Sequence, residues 1–198
     1  MRVPYTTSFA SLILAAVLAG CAGSGSLEQL DEQSGATIVR GSSVLVYART
    51  EPRYSRSARD YVYLGPVEIN RQGVREYYLW VGVATTIDRG FIAPEAQEPR
   101  TLYVEVRGEP IELPLKAWHE LVPTGLDEPM YSTTVPVREE LAARVTLQQI
   151  TLIGAASPAS VSLATRDSGA PRAFGRWDGA ANFDEFIAAV GDTAGQHK

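Results

Sequence analysis

The chain holds one cysteine and two histidines in 198 residues. A single thiol excludes an intramolecular disulfide and any cysteine-rich zinc site. His119 and His197 are far apart, and His197 sits on a polar tail, so a histidine-based metal site is not expected. Lysine is almost missing. Of eighteen basic residues only Lys116 and Lys198 are lysine, which reads as base-composition bias rather than function. The net charge of −5 and the absence of a strongly basic segment leave no electrostatic footprint for nucleic acid. No Gly-x-Ser-x-Gly elbow, phosphate-cradling glycine loop or dinucleotide fingerprint occurs, so no cofactor is expected. No internal repeat is present. Apolar runs long enough to cross a membrane are also lacking, because a spanning helix needs ~20 residues and the longest candidate, Phe9 to Ala19, is shorter.

What is there is enough for one sizeable core. Hydrophobic residues make up 45% and charged residues 21%, a balance that argues against wholesale disorder. The first residues, Met1 to Thr7, carry one positive charge and no acid, and Phe9 to Ala19 follows with Ser11 as its single polar residue. A basic segment before a short apolar one is the pattern of a secretory signal peptide. It ends in Leu18-Ala19-Gly20-Cys21, and Cys21 is the chain's only cysteine.

That tetrapeptide resembles the lipobox of bacterial lipoproteins, a leucine and two small residues before an invariant cysteine. The resemblance covers about the first tenth of the chain. It implies cleavage between Gly20 and Cys21, a diacylglycerol on the Cys21 sulfur and often an acyl group on the new amino terminus. Each buried CH₂ contributes ~0.8 kcal/mol, and two or more chains anchor stably where one does not. The partner so implied is a membrane. In enteric lipoproteins an Asp after the cysteine favours inner-membrane retention. Ala22 at that place points to the outer membrane, facing the periplasm.

The organisation expected is a signal peptide over 1–20, a lipidated cysteine with a flexible tether over 21–36, one globular domain over 37–191 and a disordered tail over 192–198. Ser26 with Gln29 has capping-box spacing for a short helix through Gln33. Ser43 to Ala48, Asp60 to Ile69 and Val74 to Thr85 read as strands, the last two around the turn-rich Asn70-Arg71-Gln72-Gly73. Pairing Ile69 with Val74 puts Val62, Leu64, Tyr77, Leu79 and Val81 on one face. Tyr61, Tyr63, Gly65, Tyr78, Trp80 and Gly82 take the other, with Tyr63 opposite Trp80. Thr101 to Leu115 reads as a second hairpin about Gly108-Glu109, with Leu102, Val104, Val106, Ile111, Leu113 and Leu115 inward and Glu105 facing Glu112. Tyr131 to Val137 reads as a strand and Arg138 to Arg144 has helix-forming composition. Thr146 with Gln149 can cap a helix, though Leu147 to Ile153 also fits a strand. Val161 to Thr165 turns at Asp167-Ser168-Gly169 and pairs back through Ala173 to Trp177. Asn182 caps a last helix with Phe183, Phe186, Ile187 and Val190 on one stripe and Gly191 as its C-cap. The fold class is β-rich α+β: an antiparallel β-sandwich or curled sheet with two or three short helices, one of them C-terminal.

Three patterns invite chemistry. An exposed Tyr61, Tyr63, Tyr78 and Trp80 face would be a platform for sugar rings or a protein; buried, it is core, with Gly65 and Gly82 making room for the rings. Arg49, Arg53, Arg56 and Arg59, with Tyr54 among them, would suit anions such as lipid phosphates or an acidic partner, unless Glu51 and Asp60 temper a merely solvated loop. Paired Glu105 and Glu112 are the tools of glycoside hydrolysis, yet read better as a solvated pair beside Arg107 and Lys116. A serine with His119 would be the only histidine-based nucleophile pair, and His119, in Trp118-His119-Glu120 beside a Pro/Gly-rich stretch, reads as a surface or partly packed residue. The functional expectation is a non-enzymatic, membrane-anchored accessory protein. A glycan or peptidoglycan binder using the aromatic face comes next, and an envelope hydrolase last.

Overall fold

The computed structural model describes residues 26–87, 99–122, 124–125, 128–156, 158–165, 170–178 and 181–195. The leader, Gly20, Cys21 and the Asp167-Ser168-Gly169 turn lie outside the described residues. Eleven strands form one antiparallel sheet. In chain order they are β1 Leu27–Asp31, β2 Ala36–Arg40, β3 Leu45–Thr50, β4 Arg59–Arg71, β5 Val74–Thr85, β6 Pro99–Val106, β7 Glu109–Pro114, β8 Lys116–Ala117, β9 Val137–Val145, β10 Ser160–Thr165 and β11 Arg172–Arg176. Among the described residues there are also three short helices: α1 Trp118–Leu121, α2 Leu147–Ala156 and α3 Asp184–Gly195.

The sheet runs β7-β6-β10-β11-β3-β4-β5-β9-β8. Its two ends, β7 and β8, are joined in sequence by Leu115 alone, and consecutive Cα atoms are only ~3.8 Å apart. The edges are therefore brought together, and the antiparallel sheet is nearly closed, in keeping with a barrel-like curled sheet. Strand β4 is the spine. Its first half, Arg59 to Leu64, pairs with β3, and its second half, Val67 to Asn70, pairs with β2. The fork falls at Gly65-Pro66, where proline brings no amide proton to a ladder.

The interior is filled by alternate residues of the strands, such as Leu45, Tyr47, Val62, Leu64, Leu79, Val81, Leu102, Val104 and Phe174. Ile150 and Ile153 of α2, and Phe183, Phe186 and Val190 beside and on α3, join that core. Where β2, β4, β5 and β9 lie side by side the outer face is covered too. Trp118, Val122, Met130 and Tyr131 cross over Tyr63, Tyr78 and Trp80. A strand covered on both faces loses its polar alternation, and β4 is buried without a break from Val62 to Ile69.

Several expectations are corrected. Both hairpins pair two residues away from their predicted registers: the first by a turn two residues shorter, the second by an equally short turn set one residue earlier. Ile69 pairs with Glu76, and Arg71 with Val74, about a Gln72-Gly73 turn with φ of 54° and 88°. Val106 pairs with Glu109 about Arg107-Gly108, with φ of 55° and 87°. Two positive φ angles mark turns whose twist matches the strands, with glycine second rather than first. A slip of two preserves faces, because the pleat repeats every two residues. The sorting of side chains therefore stands while the partners change: Trp80 faces Gly65, Tyr63 faces Gly82, and Glu112 faces Tyr103 instead of Glu105. Residues 27–31 are strand β1, not a helix, inside the span read as tether. Arg138 to Arg144 is strand β9, not helix, because Leu141, Ala143 and Val145 reach the core and pairing with β5 overrides a weak propensity. Tyr131 to Pro136 is not a strand, and α3 continues through Gly191 to Gly195. The alternative at Leu147 resolves as helix, with a reciprocal capping box. Gln149 N donates to Thr146 Oγ1 at 3.1 Å, and Thr146 N to Gln149 Oε1 at 2.8 Å.

Candidate functional site

The predicted aromatic platform divides. Tyr63, Tyr78 and Trp80 are buried, and their polar atoms are spoken for within the protein. Tyr63 Oη accepts from Val135 N at 3.2 Å, and Trp80 Nε1 donates to Glu140 Oε2 at 2.9 Å. Tyr78 Oη donates to Glu76 at 3.1 Å and accepts from Arg144 at 3.3 Å. Burial pushes the hydroxyl pKa of Tyr63 and Tyr78 upward, so both stay neutral. The ring space is made by glycines, as expected. A Cβ on Gly65 would stand 2.3 Å from the Tyr131 ring, and one on Gly82 would stand 2.4 Å from Trp80. These three rings are a wall under the 118–137 segment, not a surface.

Tyr61 is the exception. It lies at the open end of the wall, stacked on Tyr63 with ring centroids 6.0 Å apart. Across from it stands Trp177, at 6.3 Å and 90°. Trp177 is 57% exposed, whereas Trp80 and Trp118 are 0% and 9% exposed. The Arg59 guanidinium sits 4.9 Å from the Trp177 ring centre. Arg59, Tyr61 and Tyr63 alternate along β4 and so share its outer face. One member of the aromatic set and one of the arginine set thus meet at a tryptophan that the sequence reading placed only as a strand end. The available signal was parity: three residues after Phe174, which is buried, Trp177 falls on the opposite side of the chain.

The backbone under Trp177 is fixed. Its N–H donates to Val46 O at 2.8 Å. The neighbouring Arg176 acts as a clamp: Nη2 donates to Ala181 O at 2.6 Å, Nη1 to Tyr47 Oη at 3.3 Å, and Nε to Asp178 O. Beside the ring lies a groove of ≈ 310 Å³ lined by Val46, Tyr61, Thr134, Val135, Trp177 and Asp178.

The other arginines do not converge there. Glu51 is buried and takes Arg49 at 3.2 Å and Arg53 at 3.4 Å, while Arg56 is exposed. The loop is self-neutralised at two of its cations. Glu105 and Glu112 are exposed and no longer opposite, and Tyr103 Oη reaches Glu112 at 3.4 Å. His119 is exposed on α1. A second, smaller cavity of ≈ 110 Å³ at one end of the barrel brings Asp60 and Glu139 together with Arg138 and Arg172. Its acids stand among cations, with Arg172 Nη1 at 4.0 Å from Asp60.

Among the described residues no group of three or more His, Cys, Asp or Glu could hold a metal ion, and no helix is long and apolar enough to cross a membrane. Compared with known proteins, the chain matches no family model, no curated protein and no solved structure.

Proposed function

We propose that the chain is an envelope lipoprotein, anchored through lipid on Cys21, whose folded part acts by binding and not by catalysis. Its contact surface is the groove lined by Trp177 and Tyr61. The address rests on Leu18-Ala19-Gly20-Cys21 behind a basic and then apolar leader, and Ala22 favours the periplasmic face of the outer membrane. The partner is another envelope component, protein or peptidoglycan.

The observation that carries the binding reading is Trp177. Two of the chain's three tryptophans are core, and the third is held out to solvent on a fixed backbone between an arginine and a tyrosine. Rigid aromatic rings of this kind are common anchors, because little conformational freedom is left to lose on contact. The ion-paired character of the barrel-end acids supports a non-enzymatic role.

The anchor is tested by growing cells with labelled palmitate. Wild type is expected to carry label and to pellet with membranes, and Cys21→Ser to do neither. A wild-type protein bearing an unmodified Cys21 thiol overturns the reading.

A further inference from the structure

We infer that the Trp177 groove takes a pyranose ring of a neutral glycan strand; this rests on the binding role proposed above and names its ligand class. The lining sets the requirement. Trp177 and Tyr61 offer apolar ring surface, Val46 and Val135 an aliphatic floor, and Thr134 and Asp178 polar groups at the rim. A ligand that satisfies all of these has an apolar face and hydroxyls around its edge. A pyranose has that shape: axial C–H bonds lie against an aromatic ring while equatorial hydroxyls meet hydrogen-bonding side chains.

Competing chemistries fit less well. A purely aliphatic ligand would cover the polar groups of the lining, Thr134 among them, without offering a hydrogen bond, which is costly. A cationic side chain stacking on Trp177 would meet Arg59, already 4.9 Å from that ring. An anionic ligand would meet Asp178, which faces the same groove. One cation and one acid flank the site, so a neutral ligand is opposed by neither. The volume of ≈ 310 Å³ lies at the lower end of the ~300–1,000 Å³ usual for small-ligand clefts, the scale of one or two sugar units.

The site is also built before its ligand arrives. Arg176 fixes the turn that carries Trp177 through three hydrogen bonds, and Tyr61 is locked against the buried Tyr63. Arg176 is thus a positioning residue, while Trp177 and Tyr61 make the contact.

The full chain, purified in detergent, is to be sedimented with purified peptidoglycan sacculi and titrated with chitin oligosaccharides while tryptophan emission is followed. Sedimentation with sacculi together with an oligosaccharide-induced blue shift is the expected result. Both are expected to weaken at least about tenfold in Trp177→Ala, the scale of a truncated aromatic anchor, and to persist in Trp177→Phe. Tyr103→Ala, on another part of the sheet, is expected to behave as wild type. Oligosaccharide binding without sedimentation places the glycan outside peptidoglycan and keeps the ligand class. No binding to either glycan overturns the inference, and so does equal binding by folded Trp177→Ala. Such a failure leaves the anchor untouched, because labelled palmitate reads that separately. Circular dichroism of each variant establishes that the fold is retained.

Discussion

At the scale of single residues, two buried carboxylates pull stability in opposite directions with pH. Glu68 lies under the β1–β2 edge, and its Oε2 has no hydrogen-bond partner among the described residues. Burial pushes its pKa up, only partly offset by Arg75 at 3.8 Å. A raised acid pKa means that the folded state holds the proton more tightly than the unfolded one. Stability therefore falls as pH rises from the usual carboxylate range through the raised value. Asp31 has the other sign. Hydrogen bonds from Ser34 and from Gly125 N–H hold its carboxyl below the usual range, so its contribution is lost as pH falls through that lowered value. Melting temperature followed against pH is expected to lose its decline above the carboxylate range in Glu68→Gln, and part of its acid decline in Asp31→Asn. At neutral pH, Glu68→Gln is expected to be the more stable protein, because the amide keeps the side chain's shape without the buried charge. A Glu68→Gln curve parallel to wild type throughout would refute the assignment.

At the scale of elements, local signals were legible where tertiary pairing did not override them, as it does after Ser26, where β1 pairs with β2 in place of a capped helix. The Thr146–Gln149 capping box and the Phe183–Val190 stripe depend only on near neighbours, and both are present. Face sorting in the two hairpins survived a register error for the same reason: it depends on a period of two. Partner choice did not, because positive φ at Gln72 and Arg107 is a property of the closed turn, and neither residue type announces it. Strand β9 was hidden because its helical propensity is intrinsic, while its pairing with β5 is tertiary. Half of the site was legible through Tyr61 and Arg59. Trp177 was not, because only the pairing of β11 with β3 carries it to their side. Two substitutions check this level. Thr146→Ala is expected to cost about 1 kcal/mol by urea unfolding, the usual loss of an N-cap. Gly65→Ala is expected to cost about 1–3 kcal/mol, because its Cβ would stand inside the Tyr131 ring's contact distance. Gly175→Ala, with open space around it and no positive φ, is the control and is expected to change stability little.

At the scale of the whole molecule, the curled sheet explains why one exposed tryptophan can be singled out. Curling of the sheet hides the interior faces of most strands, and Trp118, Val122, Met130 and Tyr131 cover part of the outer face of β4, β5 and β9. The two ends of β4 stay partly open, and at the first of them Arg59 and Tyr61 stand beside Trp177. The lipid proposed at Cys21 would hold that surface within a short tether of a bilayer, close to the envelope's polymers and proteins. The most direct test is oxidative footprinting by mass spectrometry of the protein in intact envelopes and after purification. The expected result is that Trp177 oxidises readily in the purified protein and is protected in the envelope, while the exposed His119 and Tyr54 oxidise alike in both. Equal oxidation of Trp177 in the two states would contradict a role built on that groove.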